Sequence, residues 1–439
     1  MHTLNIHRKR GKSLGLLELI AIALGGMIGG GIFTVLGISV SIIGVFTPLA
    51  FILGGILAML ASYSYIKLGI YYKDEGATYS FYKRTFPGSP FATSLVGWWV
   101  IFGYISTLAL YAYTFASYAI SGFEFANNEW IRKGVAGIII LIFTLINIWS
   151  VKGMGKIEDL MVYTKLIILT IISFVLINNA NTSLPTLLEQ NEDVTLLSIF
   201  IVASLTFVAF EGFQLVINAV NEMEKPQKNI PRAIYGAMIL AIAIYVVLSL
   251  GAILTIPFED IIKNKEYALA SGADKVLGHW GTDLVIIGAL LATSSAISGT
   301  LFGASRQISV IARDGYFPQF LTKRKNNIPI YSIITMATFA FSLILIGNLK
   351  VILQFGSVTF LLVSFLTAYA NFKIYKQTNS SLYITITAMI GLAIGTILII
   401  YYEYITQIEQ LYFIGGLYII LTFFAFIYSK LKRQTVNII

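Results

Sequence analysis

Cysteine is absent from the chain, which excludes disulfides and thiol chemistry. Histidine is almost absent: His2, His7 and His279 lie far apart, which argues against a histidine metal centre or a catalytic triad. Charge is scarce as well. Only 12% of the residues are charged, where a soluble domain carries about a quarter. No linker is rich enough in Gly, Ser or Pro to separate soluble domains, and no stretch is low-complexity.

What is present is apolar. Hydrophobic residues make up 57% of the 439 positions, and runs of about 20 of them recur along the whole length, enough to cross a ~30 Å hydrocarbon core as helix. Lipid admits only helices or closed barrels, and the runs are too long for barrel strands. The chain therefore reads as an all-α, polytopic integral membrane protein. Twelve spans are expected, at about 14–42, 48–71, 93–122, 134–150, 156–177, 195–221, 231–254, 283–312, 329–347, 351–372, 382–402 and 409–430. The N-terminal MHTLNIHRKRGKS is basic, and the apolar region behind it is too long for a cleaved signal peptide, so the first span reads as a retained helix.

Positive charge orients the spans. With the N-terminus inside, the cytoplasmic segments hold 23 of the 30 Lys and Arg residues and the outer segments 6. Both termini are thus expected in the cytoplasm, and the net charge of +9 reads as attraction to an anionic inner leaflet. Nucleic acid is not needed as a partner. The remaining basic residue is Lys165, in LMVYTKLIILTII, well inside the fifth span.

Two spans are built to break. The first carries Gly25, Gly26, Gly29, Gly30 and Gly31 within seven positions, and each helix-interior glycine costs roughly 1 kcal/mol relative to alanine. The spacing also fits close helix packing of the small-xxx-small kind, although a third consecutive glycine exceeds what packing needs. The sixth span carries Glu211 and Gly212 near its middle, in TFVAFEGFQLVINA. A carboxylate there costs roughly 3 kcal/mol and faces a cavity, the alternative being a protonated glutamate that donates to a neighbouring carbonyl. Interrupted helices at matching positions of two halves point to a transporter site. Unwinding frees amides that can hold a carboxylate and carbonyls that can hold an ammonium, and a small site offering both suits an amino acid.

At these residues the chain resembles the amino acid–polyamine–organocation superfamily. The first-helix pattern GxIGxGIF is present at Gly26–Phe33. The sixth-helix pattern is present as Phe210-Glu211-Gly212-Phe213 followed by NEMEKPQKNIPRA, and the eighth-span pattern as Ser305-Arg306 through Ala312-Arg313-Asp314-Gly315-Tyr316-Phe317-Pro318. The inner loop GATYSFYKRTFPG is similar to the family's G-G-x-Y-x-F stretch, with Ala77 for the second glycine. The resemblance covers nearly the whole chain, and its motifs fall in order along it.

The resemblance implies a LeuT-like fold with twelve transmembrane helices. A tail (1–13) precedes a first five-helix repeat (14–177); an inverted second repeat (195–372), two accessory helices (382–430) and a tail (431–439) follow. It implies carboxylate recognition by the amides of Gly29, Gly30 and Gly31. The amino group would meet carbonyls near Met27, Ile28, Phe207 and Phe210, with Phe207 and Phe210 also covering the substrate. Gln214 stands where many members have glutamate. Glu211, beside Gly212, occupies a variable position, where an acid favours a cationic side chain and leaves substrate choice open.

If the fifth span starts near Lys156, Lys165 lies about 13 Å deep at 1.5 Å per residue. Its side chain, about 6 Å long, falls short of the inner headgroups. A lysine held there can load and release a proton. Here the chain is most like the superfamily's archaeal proton-coupled amino acid transporters, in which a fifth-helix lysine stands where other members bind sodium. The resemblance matches Gly25 to the carbonyl that its ammonium touches and Ser294 or Ser295 to the hydroxyl. The outer segment 258–281 reads equally as a lid or as a solvated connector, and Tyr104 as a cavity-lining or a packing residue.

The expectation is a secondary active transporter of the cell membrane, importing amino acids by proton-coupled alternating access. Its partners are the amino acid, the proton and the lipid bilayer, without cofactor, metal or catalytic residue, as a monomer or weak homo-oligomer. The rivals are an amino acid or amine exchanger in which Lys165 is a fixed cation, and a transporter-like nutrient sensor, which usually needs a sizeable soluble tail.

Overall fold

The computed structural model of the chain describes residues 14–74, 76–149, 151–189, 194–264, 267–325 and 328–436. The basic tail 1–13 lies outside the described residues, as do 437–439 and the side chains of Lys152, Lys156, Lys265, Lys275 and Arg433. The described residues form helices and turns and no strand, as a chain confined to lipid requires.

Ten segments among the described residues are long and apolar enough to cross a membrane. One of them, Gly30–Tyr72, is 43 residues long. It divides at Gly44 (φ 50, ψ −119), where a 3-10 turn separates α2 (Gly30–Ile43) from α3 (Thr47–Tyr72). The shorter apolar helix α1 (Leu16–Met27) leads into α2, and α14 (Ile330–Ile346) completes twelve spans among the described residues. Span one is α1 with α2, and span two is α3. The next three are α5 (Pro90–Ala119), α6 (Glu129–Trp149) and α7 (Val151–Asn178). Span six is α9 (Leu196–Thr206) with α10 (Leu215–Asn218). Spans seven and eight are α11 (Pro226–Thr255) and α13 (Ala268–Arg313); α14 follows, then α15 (Leu349–Lys373), α16 (Leu382–Thr406) and α17 (Ile408–Val436). The helices α4 (Ala77–Thr85), α8 (Leu184–Glu189) and α12 (Phe258–Lys263) lie in connections.

Local chemistry sets the ends. Pro48, Pro90 and Pro226 occupy the first turns of α3, α5 and α11, where a missing N–H costs nothing. The side chains of Thr195, Asn348 and Ser381 accept N–H groups that open α9, α15 and α16. The prolines start α5 and α11 several residues earlier than the apolar runs alone suggest, as does Asn128 for α6, its Oδ1 accepting the Trp130 and Ile131 amides.

Most described residues of the segment 258–281 are helical rather than looped. It forms α12 and the beginning of α13, which changes direction at Gly278 (φ 67, ψ −173). Ile261 and Leu269 are buried, and both helices pack on α2.

Ahead of α1, the N–H of Leu14 donates to the Glu222 carbonyl (2.8 Å) and the N–H of Glu224 to the Leu14 carbonyl (3.1 Å). The start of α1 is thereby pinned beside the start of α11. The motif loops at 76–88 and 305–318 also meet. Tyr79 Oη and Lys83 Nζ donate to Asp314 at 2.8 and 2.6 Å, and Gln307 Nε2 donates to the Gly76 carbonyl at 3.2 Å. In the middle, α5 packs along α13 and α15, while α16 and α17 lie at the periphery with many of their large apolar side chains facing outward.

Candidate substrate and coupling site

The first break covers two residues. Helix α1 ends at Met27, Ile28 (φ −84, ψ 77) and Gly29 (φ −117, ψ −143) leave the helical region, and α2 begins at Gly30. Carbonyls at the end of α1 therefore lose their partners in the next turn. Each finds another. The Gly25 and Ile28 carbonyls accept from Lys165 Nζ at 3.1 and 2.5 Å. The Met27 carbonyl accepts from Tyr245 Oη (2.9 Å) and from the Gly29 amide (2.9 Å). The Gly26 carbonyl accepts from Tyr111 Oη at 3.4 Å. On the other side of the break, α2 has no side-chain cap. By helix geometry the amides of Gly30, Gly31 and Ile32 have no partner within α2, and no described group takes them. The Gly29 amide is already used, so the open set of donors begins one residue later than the motif suggests.

The second break is longer. Helix α9 ends at Thr206, Phe207–Phe210 tighten into a 3-10 turn, Glu211 is extended (φ −69, ψ 141) and Gly212 takes φ +121. Only the four residues of α10 resume a helix before the chain turns again. Gly212 is required twice over: its backbone conformation suits glycine, and a Cβ there would lie 2.4 Å from the Gly26 carbonyl carbon. The two breaks touch backbone to backbone. Gly29 against Ala296, Gly30 against Thr114 and Gly31 against Ala209 leave no more room, so the clustered glycines serve both the break and the close packing.

Lys165 is fully buried, and its ammonium donates to the Gly25 and Ile28 carbonyls and to Ser295 Oγ (2.7 Å). They match the three hydrogens of an ammonium. Of the two candidate serines, Ser295 makes this contact, while Ser294 is half-buried and does not. The lysine thus links α7 to the end of α1 and to α13.

A narrow cleft opens beside the two breaks. Gly26, Glu211, Gly212 and Leu215 line it from the broken spans, Tyr104, Thr107 and Tyr111 from α5, Thr300 and Ala304 from α13, and Phe360 from α15. Tyr104 is therefore a cavity-lining residue. Phe207 and Phe210 are not part of the lining. Both are fully buried, and Phe210 packs on Tyr245 with ring centroids 5.2 Å apart. Gln214 organises the acid beside the cleft. Its Oε1 accepts the Gly212 amide (3.1 Å), and its Nε2 donates to Glu211 Oε2 (2.7 Å) and to Tyr104 Oη (3.1 Å). An ionised glutamate at 214 has no donor for Glu211 and would set two carboxylates against each other, so glutamine at 214 is the residue that fits an acid at 211.

Tyr245 is the functional candidate that the sequence hides. Its hydroxyl lies against the Met27 carbonyl (2.9 Å) and the Ala209 carbonyl (2.8 Å), one from each break. As one of 25 tyrosines in an apolar span it carries no signal of its own.

The whole described chain matches one family model: residues 14–437 fit that of the amino acid permeases. An uncharacterized protein of Methanocaldococcus jannaschii is 29% identical over 430 residues, covering 97% of both chains. The inner membrane transport protein YbaT of Escherichia coli is 28% identical over 397 residues, covering 89% of this chain and 90% of its own. The chloroplastic cationic amino acid transporter 7 of Arabidopsis thaliana is 23% identical over 382 residues, covering 82% of this chain and 65% of its own. With a match this complete and the two broken spans in place, the chain is a multi-pass membrane transporter and belongs to the amino acid permease family of the amino acid–polyamine–organocation superfamily.

Proposed function

We propose that the protein imports amino acids by proton-coupled alternating access. In this reading the substrate carboxylate sits on the open amides of Gly30, Gly31 and Ile32, where the positive end of α2 favours an anion. The α-ammonium takes the second lone pair of the Ile28 carbonyl, whose first serves Lys165, whereas the Met27 carbonyl is already filled by Tyr245 and the Gly29 amide. Spans one to five (14–177) and six to ten (195–372) act as inverted repeats, with 382–430 accessory to them; the matching positions of the two breaks support this. Both ends of the chain lie in the cytoplasm, as the distribution of basic residues supports.

The observation that carries the proposal is the contact set of Lys165. A protonated lysine holds α1 and α13 to α7 through three hydrogen bonds. Loss of the proton removes the charge from that link, loosens the bundle and favours opening toward the cytoplasm, so proton movement and substrate release are coupled through one side chain.

The test is uptake into liposomes by wild type and Lys165→Ala, under proton and sodium gradients and with an amino acid panel. The expected result is sodium-independent accumulation driven by an inward proton gradient. Lys165→Ala is expected to bind substrate without accumulating it. Normal pH-driven accumulation by that variant overturns the assignment. Uptake only into vesicles preloaded with amino acid marks an exchanger with Lys165 as a fixed cation, and binding without any flux marks a sensor.

A further inference from the structure

Glu211 is 2% exposed, lines the cleft, and has one oxygen, Oε2, held by Gln214. The other oxygen, Oε1, is buried and has no hydrogen-bond partner among the described residues. A buried carboxylate oxygen without a donor is costly, and a protein retains one where something else supplies the donor. Among the described residues no lysine, arginine or histidine lines the cleft; the other polar side chains there are the hydroxyls of Tyr104, Thr107, Tyr111 and Thr300.

The surroundings indicate what the donor is. The rings of Tyr104, Tyr111 and Phe360 share the lining with Glu211, and Tyr104 and Phe360 meet edge to face with centroids 5.5 Å apart. Aromatic faces beside a single carboxylate favour a cation over a neutral polar group. Gln214 is the positioning residue: its amide fixes Oε2 and thereby leaves Oε1 free.

We propose that Glu211, positioned by Gln214, is the subsite for a positively charged side-chain group, so that the preferred substrates are amino acids ending in an ammonium or guanidinium. The inference rests on the amino acid transport reading and adds the substrate class to it. The α-carboxylate is held at the start of α2 and the distal cation reaches across the broken segments to Glu211 Oε1.

The test compares pairs of ligands matched in shape and different in charge: arginine with citrulline, and lysine with norleucine. Binding to the purified full-length protein is measured by calorimetry or thermal shift, for wild type, Glu211→Gln and Glu211→Asp. Wild type is expected to prefer the cationic member on the order of tenfold to a hundredfold, the range of a hydrogen bond to a charged group. Glu211→Gln, which can still accept from Gln214, is expected to bring that ratio to about one while keeping affinity for the neutral members. Glu211→Asp is expected to retain part of the preference. Equal affinity of wild type within each pair overturns the subsite, as does an unchanged ratio in Glu211→Gln; in either case binding of the neutral members leaves the transport reading standing. If no amino acid of either kind binds, the transport reading falls and the subsite with it.

Discussion

Gly212 lies flush against Gly26, so close that a Cβ on Gly212 would meet the Gly26 carbonyl carbon at 2.4 Å. Two interrupted spans of one chain thus meet through bare backbone, with no side chain between them. The obstructing atoms are themselves main chain, which leaves no flexible group to yield. Gly212→Ala combines this overlap with a φ of +121° that alanine rarely adopts, a cost of about 3 kcal/mol or more. Thermal unfolding in detergent is expected to shift sharply downward for Gly212→Ala, and uptake to fall to background. Wild-type melting and uptake would contradict this.

The contacts of Lys165 give two serines different fates. Ser295 Oγ is one of the acceptors of the buried ammonium, whereas Ser294, its chain neighbour, is half-buried and makes no such contact. Ser295→Ala removes an acceptor from a charged donor and is expected to cost about 1–3 kcal/mol, visible as a lowered melting temperature and weakened proton-driven uptake. Ser294→Ala is expected to leave both near wild type. Parallel losses in the two variants would place the coupling contact elsewhere.

How much of this was legible in the residues varies with the kind of signal. The first break is written in the stretch from Gly25 to Gly31, because glycine weakens a helix wherever it stands. The second is marked by a carboxylate in an apolar span, and Lys165 by its depth. These are local properties, and the structure places the interruptions at Ile28–Gly29 and at Glu211–Gly212. What failed to show is relational. Phe207 and Phe210 pack away from the cleft because Phe207–Phe210 winds as a 3-10 turn, whose three residues per turn rotate side chains out of α-helical register. The segment 258–281 reads equally as a lid or a connector, and what its sequence leaves open is settled by tertiary burial, of Ile261 and Leu269 and of α12 against α2. Tyr245 reaches a carbonyl 218 positions away, a pairing that no local pattern encodes.

The double acceptor set of Tyr245 makes its hydroxyl a test of how the breaks are joined. Only one hydroxyl hydrogen exists, so the Met27 and Ala209 carbonyls compete for it and the tyrosine sits between them. Tyr245→Phe keeps the ring that packs on Phe51 and Phe210 and deletes only the hydroxyl. The expected cost is about 1–3 kcal/mol for a buried carbonyl left without its donor. Because the lost bond ties α11 to both breaks, uptake is expected to slow more than substrate affinity weakens. Measured side by side, a fall in affinity with an unchanged maximal rate would assign Tyr245 to the substrate rather than to the joint.

Gln214 and Glu211 offer the sharpest test, because their chemistry is asymmetric and their arrangement is not fixed by space. Gln214 accepts the Gly212 amide with one end and donates to Glu211 with the other. Replacing it alone, as Gln214→Glu, leaves the acceptor in place and turns the donor into a second carboxylate, so like charges meet in a buried site. That variant is expected to lose stability by several kcal/mol, on the order of the cost of a buried charge without a partner. The compensating double variant, Glu211→Gln with Gln214→Glu, restores one acid and one amide with their positions exchanged. It is expected to recover most of the stability, giving a coupling energy of about 2 kcal/mol or more between the two sites. The exchange also moves the acid three residues along the broken segment, so its preference for arginine over citrulline is expected to differ from wild type even where its melting temperature does not. Additive losses in the double variant would show that the amide and the acid do not act on each other, and the account of why glutamine stands at 214 would be wrong.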